Sequence, residues 1–146
     1  MRLSKSWRAT DGAVLVEFAI TIPILLLVVW GVIDFARAYY TSNSLSTAVR
    51  EGARVAAVRQ NPSSGASTTV IKQRVVDAFN AFGGPGIDPK TIIITVTNVG
   101  GKPSQVSVKV DKYQWLTTTP INVITGGKIE MTRQAIFRVE RDDSST

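Results

Sequence analysis

Cysteine and histidine are both absent from this sequence of 146 residues. Without cysteine the chain has no disulfide framework, no thiolate nucleophile and no cysteine-type zinc site. Without histidine it lacks the commonest general base and metal ligand of proteins. Catalytic groups of the Ser/His/Asp and Cys/His kinds are therefore excluded, and carboxylate or lysine chemistry is the enzymatic route left open. The absence of cysteine does not determine the cellular compartment of the protein, because an exported protein does not need disulfides.

A concentrated basic patch is also missing, although 17 Lys and Arg against 11 Asp and Glu give a net charge of +6. The basic residues are scattered through helix-like and strand-like segments, without a stripe interleaved with aromatic residues. A nucleic-acid-binding protein gathers its charge on one face, so this distribution argues against nucleic acid as a partner.

Phosphate-binding and calcium-binding motifs are absent as well. Neither Gly100-Gly101 nor Gly126-Gly127 is followed by Lys-Ser/Thr at the head of a helix, so both pairs indicate turns. Asp111, Asp142 and Asp143 do not form the Asp-x-Asp-x-Asp-Gly loop of a calcium site. We therefore predict no cofactor, no metal and no catalytic residues.

One long apolar run stands near the N-terminus. A short basic leader, residues 1–12, precedes the segment 13–33, whose single charged residue is Glu17. As a helix rising ~1.5 Å per residue this segment spans about 30 Å, the thickness of a bilayer's hydrocarbon core. Basic residues before the run, and no comparable cluster directly after it, predict a cytoplasmic N-terminus and an exported C-terminal part.

The segment 34–59 is amphipathic. Small and apolar residues recur at alternating steps of four and three along one face: Ala38, Ser42, Leu45, Val49, Gly52 and Ala56. The small members Ser42, Gly52 and Ala56 would let another backbone come close. No strong stop follows Val14, because a proline in a membrane helix is absorbed by local adjustment. We predict one unbroken helix from about Val14 to Arg59.

The remainder, residues 60–146, predicts a small α+β domain. A loop is followed by a helix over 68–82, with Ser67 as its cap and glycines at its end. The apolar period then changes to two in the segments 92–97 and 106–110, which a turn at Gly100-Gly101 joins as a hairpin. A third segment, 112–117, would extend the second strand, and a last strand runs from about Lys128 to Arg141. We expect an antiparallel sheet of three or four strands, with a helix on one face.

Three interpretations of the N-terminus are open. The first is an uncleaved signal anchor. The second is a secretory signal cleaved after Ala36-Arg37-Ala38, although its apolar region is longer than usual. The third is cleavage after Gly12, which leaves the apolar run on the mature protein. It makes Ala13 the first residue, Glu17 the fifth and Phe18 the sixth.

The third interpretation agrees with a resemblance to a known protein family. The short basic leader and the Gly-x4-Glu-aromatic pattern resemble type IV pilins of the Flp/Tad class and their pseudopilins. The ordered set of motifs over some 45 residues is similar to the TadE-like family of pilus assembly proteins. Those motifs are Gly12-Ala13, Val16-Glu17-Phe18-Ala19, Pro23, Asp34-Phe35 with Arg37, Tyr39-Tyr40, and Arg50-Glu51-Gly52-Ala53-Arg54.

The resemblance implies a processing site and a role in assembly. Gly12 and Ala13 would flank the bond cut by a prepilin peptidase, and Glu17 and Phe18 would complete the recognised motif. In pilin-like proteins the fifth-position carboxylate is thought to meet the α-amino group of a neighbouring subunit. Such a pair, ~4 Å apart in a low-dielectric bundle, would offset much of the carboxylate's desolvation and favour the correct register.

The function implied is that of a minor pseudopilin of a Tad-type pilus, without catalysis of its own, supporting assembly of an adhesive filament. It would be a single-pass protein of the inner membrane. Its partners would be the peptidase, other pilins or pseudopilins, inner-membrane assembly proteins and the lipid bilayer. The alternative is an uncleaved, signal-anchored binding module of the cell envelope.

Overall fold

The architecture is two helices packed on one antiparallel sheet. The computed structural model describes residues 7–59, 61–116, 126 and 128–139. Its elements follow one another along the chain as α1 (Trp7–Ala57), α2 (Gly65–Ala81), a 3-10 turn (Pro89–Thr91), β1 (Ile92–Val99), β2 (Lys102–Leu116) and β3 (Lys128–Arg138). The α+β fold class predicted from the sequence is confirmed.

Helix α1 is continuous and longer than expected. It passes through Pro23 without a break, as predicted. It begins at Trp7, however, and not near Val14, so the predicted start was wrong. Nothing in residues 7–13 stops a helix, and adding residues to an existing helix costs far less than starting one.

Helix α2 begins at Gly65, three residues before the predicted start. Ser64 is the N-cap, and its hydroxyl accepts a hydrogen bond from the Ser67 amide. Ser67 is therefore a buried residue of the first turn, and its assignment as the cap was wrong. The predicted glycine stop is confirmed: Gly83 adopts φ +70°, and Gly84 donates its amide to the Phe79 carbonyl at 2.9 Å. This six-to-one bond is characteristic of a helix that ends on a left-handed glycine.

The sheet has the order β1-β2-β3, with both pairs antiparallel. Gly100 and Gly101 adopt φ of +61° and +76°, the conformation that a two-residue hairpin turn requires at both central positions. The register of β2 against β3 shifts between Val110 and Tyr113, where Lys112 has φ +50°. The strand continues through this bulge to Leu116, which confirms the predicted extension from Lys112; Thr117, the last residue of that segment, lies outside the described residues. Strand β3 ends at Arg138, and Arg141, the predicted end, lies outside the described residues.

One hydrophobic core lies between the helices and the inner face of the sheet. It joins the C-terminal half of α1 and the apolar face of α2 to the central strand. Within it the rings of Phe79 and Tyr113 pack edge to face, with their centroids 5.5 Å apart. The outer face of the sheet is mostly polar, with a Lys109–Asp111 ion pair at 2.9 Å and two exposed isoleucines, Ile93 and Ile136. Fully buried members of the core are Leu45, Ala48, Ala53, Ala56, Ile71, Val75, Phe79, Val106, Val108 and Val110.

Candidate functional site

The N-terminal half of α1 presents an uncovered apolar surface. Every residue from Gly12 to Trp30 is exposed, and so are Val32 and Ile33. The best 18-residue window has a mean hydropathy of 2.5 and none of it is buried. By length and composition α1 can cross a membrane. A surface of this extent needs lipid or other apolar helices to cover it.

The four residues of the predicted processing site lie on this exposed part of α1. Gly12 and Ala13 are joined by a helical peptide bond, and nothing lies within 4 Å of where a Gly12 side chain would be. Phe18 is 63% exposed. Glu17 stands one turn after Ala13, and its carbonyl accepts the Thr21 hydroxyl at 2.8 Å. Within the described part of the chain its carboxylate forms no ion pair, so it is available to a neighbouring molecule.

Burial on α1 begins abruptly at Asp34, which is 7% exposed. Two turns further on, the helix binds the end of α2: the Tyr40 hydroxyl donates to the Phe82 carbonyl at 2.6 Å, and Ser44 donates to the same oxygen at 3.3 Å. Sequence reasoning missed this contact. It could not be predicted from the sequence, because the role of Tyr40 at the end of α2 depends on where α2 lies.

The segment from Arg50 to Arg54 fastens α1 to α2. Glu51 accepts hydrogen bonds from the guanidinium groups of Arg54, one turn later, and Arg74 of α2, with closest distances of 2.9 and 3.0 Å. Between the charged residues, Gly52 faces Val75, and a Cβ at Gly52 would overlap the Val75 Cγ2. The Arg-Glu-Gly-Ala-Arg motif thus combines an ion-pair network with a close helix contact.

The electrostatics of this network follow from its geometry. Hydrogen bonds from Arg54, and then from Arg74, lower the pKa of Glu51 from 4.5 to about 2. Glu51 in turn raises the pKa of Arg54. The carboxylate is therefore ionised at every physiological pH and can accept hydrogen bonds from both arginines.

The other small residues of the predicted stripe also face the interior of the fold. The Ser42 hydroxyl accepts a hydrogen bond from Nη2 of Arg133, on the inner face of β3. This contact explains why an arginine interrupts the apolar pattern of that strand. Ala56 is fully buried in the core. In this structure Ser42, Gly52 and Ala56 pack against the chain's own sheet and second helix.

An open cleft of about 500 Å³ crosses the C-terminal half of α1. Arginines from both helices stand around a partly apolar floor, and we call this feature the arginine cleft. Its lining consists of Thr47, Arg50, Glu51, Arg54, Arg74, Asp77, Ala78, Ala81, Phe82 and Phe137. Over the residues described, no group of three or more acidic side chains is placed to hold a metal ion.

Comparison with known proteins identifies the N-terminal part of this chain. Residues 12–54 match the family model described as TadE-like protein. The match confirms the resemblance drawn from the sequence motifs, and no curated protein or solved structure matches significantly. The TadE-like segment starts at the predicted processing bond and ends at Arg54, in the ion-pair network. It therefore contains the exposed apolar surface and the α1 side of the contact with α2, while α2 and the sheet lie outside it.

Proposed function

We propose that this chain is a minor pseudopilin that supports assembly of a Tad-type pilus. The observation that carries the proposal is the TadE-like match over residues 12–54, since TadE-like proteins belong to pilus assembly systems. The apolar surface of α1 supports it, because that surface fits both a bilayer and a bundle of pilin-like helices. In the inner membrane the leader would be cytoplasmic and the α+β domain exported.

Within this proposal, Glu17 has a specific task. Its carboxylate is exposed on the apolar half of α1 and stands one turn from Ala13. A prepilin peptidase that cuts between Gly12 and Ala13 would create an ammonium group at the end of the same helix. Glu17 of one subunit would then pair with the ammonium of the next, and a subunit out of register would leave both charges unpaired in an apolar environment.

The first experiment determines the N-terminal residue of the protein from its native membranes by mass spectrometry, with and without the prepilin peptidase. We expect Ala13 only when the peptidase is present. Met1 in both samples would support the anchored binding module, and Tyr39 would indicate a secretory signal. Cleavage before Tyr39 would also remove Asp34 and Ala38, which are packed into the exported domain.

The second experiment separates assembly from membrane insertion. Glu17→Gln keeps the size of the side chain and removes its charge, so we expect normal insertion but loss of co-purification with pilin partners, compared among molecules from which the leader has been removed. Thr21→Val, one turn further along the same face, is the matched control and should assemble normally. Equal co-purification of the two variants would contradict the pairing role.

One observation favours the alternative function. The helix runs without interruption through Gly12 and Ala13, so a peptidase must unwind it or wait for it to fray before reaching the bond. An uncleaved anchor needs no such step. The exported domain would then act as a binding module, with the arginine cleft as its candidate binding surface.

A further inference from the structure

Both edges of the sheet are open in the part of the chain that the structure describes. The strand order is β1-β2-β3, so β1 and β3 each pair with β2 on one side only. Among the described residues, 93–99 of β1 take part in no backbone hydrogen bond outside their ladder with β2. Every second amide and carbonyl along an edge strand points away from the sheet, and these groups can pair with a further strand.

The two edges are protected to different degrees. Folded proteins usually guard an exposed edge with charged side chains, proline or a bulge. The charged residues of β3 are Lys128, Glu130, Arg133 and Arg138. Strand β1 has the sequence IIITVTNV, without charge or proline, and its irregularity is confined to the far end, between Thr97 and Asn98. The edge of β1 is therefore suited to pairing with another strand.

The outer face of the sheet has one exposed isoleucine on each edge strand. Ile93 of β1 is 45% exposed and Ile136 of β3 is 60% exposed. The ladders place Thr95, Ser107 and Ile136 in one row across the sheet, and Ile93 stands two residues before Thr95 on the same face. If the β1 edge of one copy lay beside the β3 edge of another, Ile93 and Ile136 would be diagonal neighbours about 8 Å apart. The two isoleucines could then cover each other.

The direction of the strands determines how two copies can meet. Strands β1 and β3 run in the same direction, because both are antiparallel to β2. Strand β3 also runs with α1, since Arg133 donates a hydrogen bond to Ser42 and Phe137 lines the arginine cleft with Arg50. These contacts are about 13 Å apart along the strand and about 12 Å apart along the helix. Both edges therefore run with α1, away from its apolar half.

A bilayer excludes antiparallel pairing of two β1 strands. This step rests on the proposed function, in which α1 spans the membrane. Antiparallel pairing requires a two-fold axis perpendicular to the sheet, and that axis also reverses α1. The two apolar halves would then point in opposite directions and could not enter one bilayer from the same side. Pairing of β1 with the β3 of a second copy is parallel, so it keeps the α1 helices aligned and the helix layers on one face.

We propose that β1 of one copy pairs in parallel with β3 of a second copy, so that two domains share one six-stranded sheet beside the membrane. The uncharged edge meets the charged edge, so the new ladder brings no like charges together.

The twist of the sheet limits this contact to a dimer. Sheets twist by roughly 20–25° per strand, so copies three strands apart differ in direction by about 60–75°. Each α1 then leans about 30–38° from the bilayer normal, near the upper limit of about 40° for membrane helices. A third copy would exceed that limit.

The absence of cysteine allows a direct test by crosslinking. Two full-length proteins each carry one cysteine, Thr95→Cys on β1 or Gln134→Cys on β3, and both positions are exposed on the outer face. Within one chain these positions lie about 12 Å apart, so the cysteines are kept in separate proteins and every bridge is intermolecular. The proteins, one of them enlarged by a tag, are reconstituted at low density in phospholipid vesicles and treated with a short bismaleimide.

We expect a bridged dimer in the mixed vesicles and almost none with either protein alone. Strong bridging of Thr95→Cys alone, or equal bridging in all three samples, would overturn the parallel pairing. Carbonate extraction separates the two proposals. Absence of a bridge in protein that resists extraction would overturn the pairing and leave the spanning helix in place. Protein that carbonate removes from the vesicles would overturn the spanning helix and this inference with it.

A charge placed at the contact tests its position. In the Thr95→Cys protein, Ile93→Asp should lower the bridged fraction of the mixture about tenfold, because a carboxylate would replace the apolar contact with Ile136. Val70→Asp is the matched control, since Val70 is 43% exposed and lies on α2. It should bridge normally, and circular dichroism would verify that both variants are folded. Equal bridging of the two variants would show that the β1 edge is not the contact.

Discussion

At Gly52 the absence of a side chain is a packing requirement. The added methyl group of Gly52→Ala would overlap the Val75 Cγ2, and Val75 is fully buried. Valine is nearly fixed in one rotamer on a helix, so the strain cannot be relieved by rotating the side chain. We expect Gly52→Ala to lower the free energy of unfolding by about 1–3 kcal/mol, measured by denaturant titration of the purified protein in detergent.

A matched glycine shows whether the effect comes from the contact. Gly65, the first residue of α2, has nothing within 4 Å of the position of an added Cβ. Gly65→Ala should therefore be neutral or stabilise by up to about 1 kcal/mol. The double variant of Gly52→Ala with Val75→Ala should lose less stability than the sum of the single losses. Additive losses would refute the steric explanation.

Glu51 provides a prediction about pH. Its pKa in the folded protein is about 2, below the ordinary value of 4.5, because Arg54 and Arg74 donate to the carboxylate. A lowered pKa stabilises the fold above pH 4.5, and this contribution is lost as the pH falls from 4.5 to 2. In Glu51→Gln this part of the acid sensitivity should disappear. The free energy of unfolding at neutral pH should fall by only about 0.5–1 kcal/mol, since the ion pairs are partly exposed to solvent.

The measurement is the free energy of unfolding at a series of pH values for both proteins. Glu130→Gln is the control, since Glu130 is exposed and forms no ion pair within the described chain. The control should follow the wild-type curve across the acid range. If Glu51→Gln follows it as well, the network contributes nothing to stability.

Hydrogen bonds connect helix α1 to the C-terminal end of helix α2. Tyr40 and Ser44 both donate to the Phe82 carbonyl, just before the left-handed Gly83. Tyr40→Phe removes the shorter hydrogen bond, and we expect the end of α2 to open more readily, by about 0.5–1.5 kcal/mol. Hydrogen exchange at the Gly83 and Gly84 amides should therefore accelerate roughly threefold to tenfold.

Tyr39→Phe is the corresponding control. Tyr39 is 63% exposed and forms no side-chain hydrogen bond in the part of the chain that the structure describes. Removal of the Tyr39 hydroxyl should leave hydrogen exchange at the Gly83 and Gly84 amides unchanged. Equal acceleration in the two variants would mean that the aromatic hydroxyls act only through general helix stability.

The elements themselves were largely predictable, and the errors have local physical causes. The apolar period indicated both helices and the hairpin because each element buries one face. Ser64 and Ser67 are both competent caps, and the choice between them depends on which residue the fold buries. The inward position of Arg133 had no local signal either, since its partner Ser42 lies on a different element.

In the whole molecule, the candidate site also has one part that the sequence predicts and one part that it does not. Its linear part, from Gly12 to Phe18, could be recognised from spacing along one helix. The arginine cleft was not predictable, because it depends on how α2 and β3 lie against α1. Sequence patterns report on periodic neighbours, whereas this surface combines residues far apart in the chain.

The division of α1 into two parts leads to a prediction about the whole chain. None of the residues 12–30 is buried, while the core lies entirely on the C-terminal side of Asp34. A fragment of residues 34–146 should therefore fold without detergent and melt within about 2–4 °C of the full-length protein, the shift that ~1 kcal/mol produces in a protein of this size. Circular dichroism and size-exclusion chromatography would measure this. An aggregated fragment, or one without a cooperative transition, would show that the apolar half of α1 takes part in folding the α+β domain.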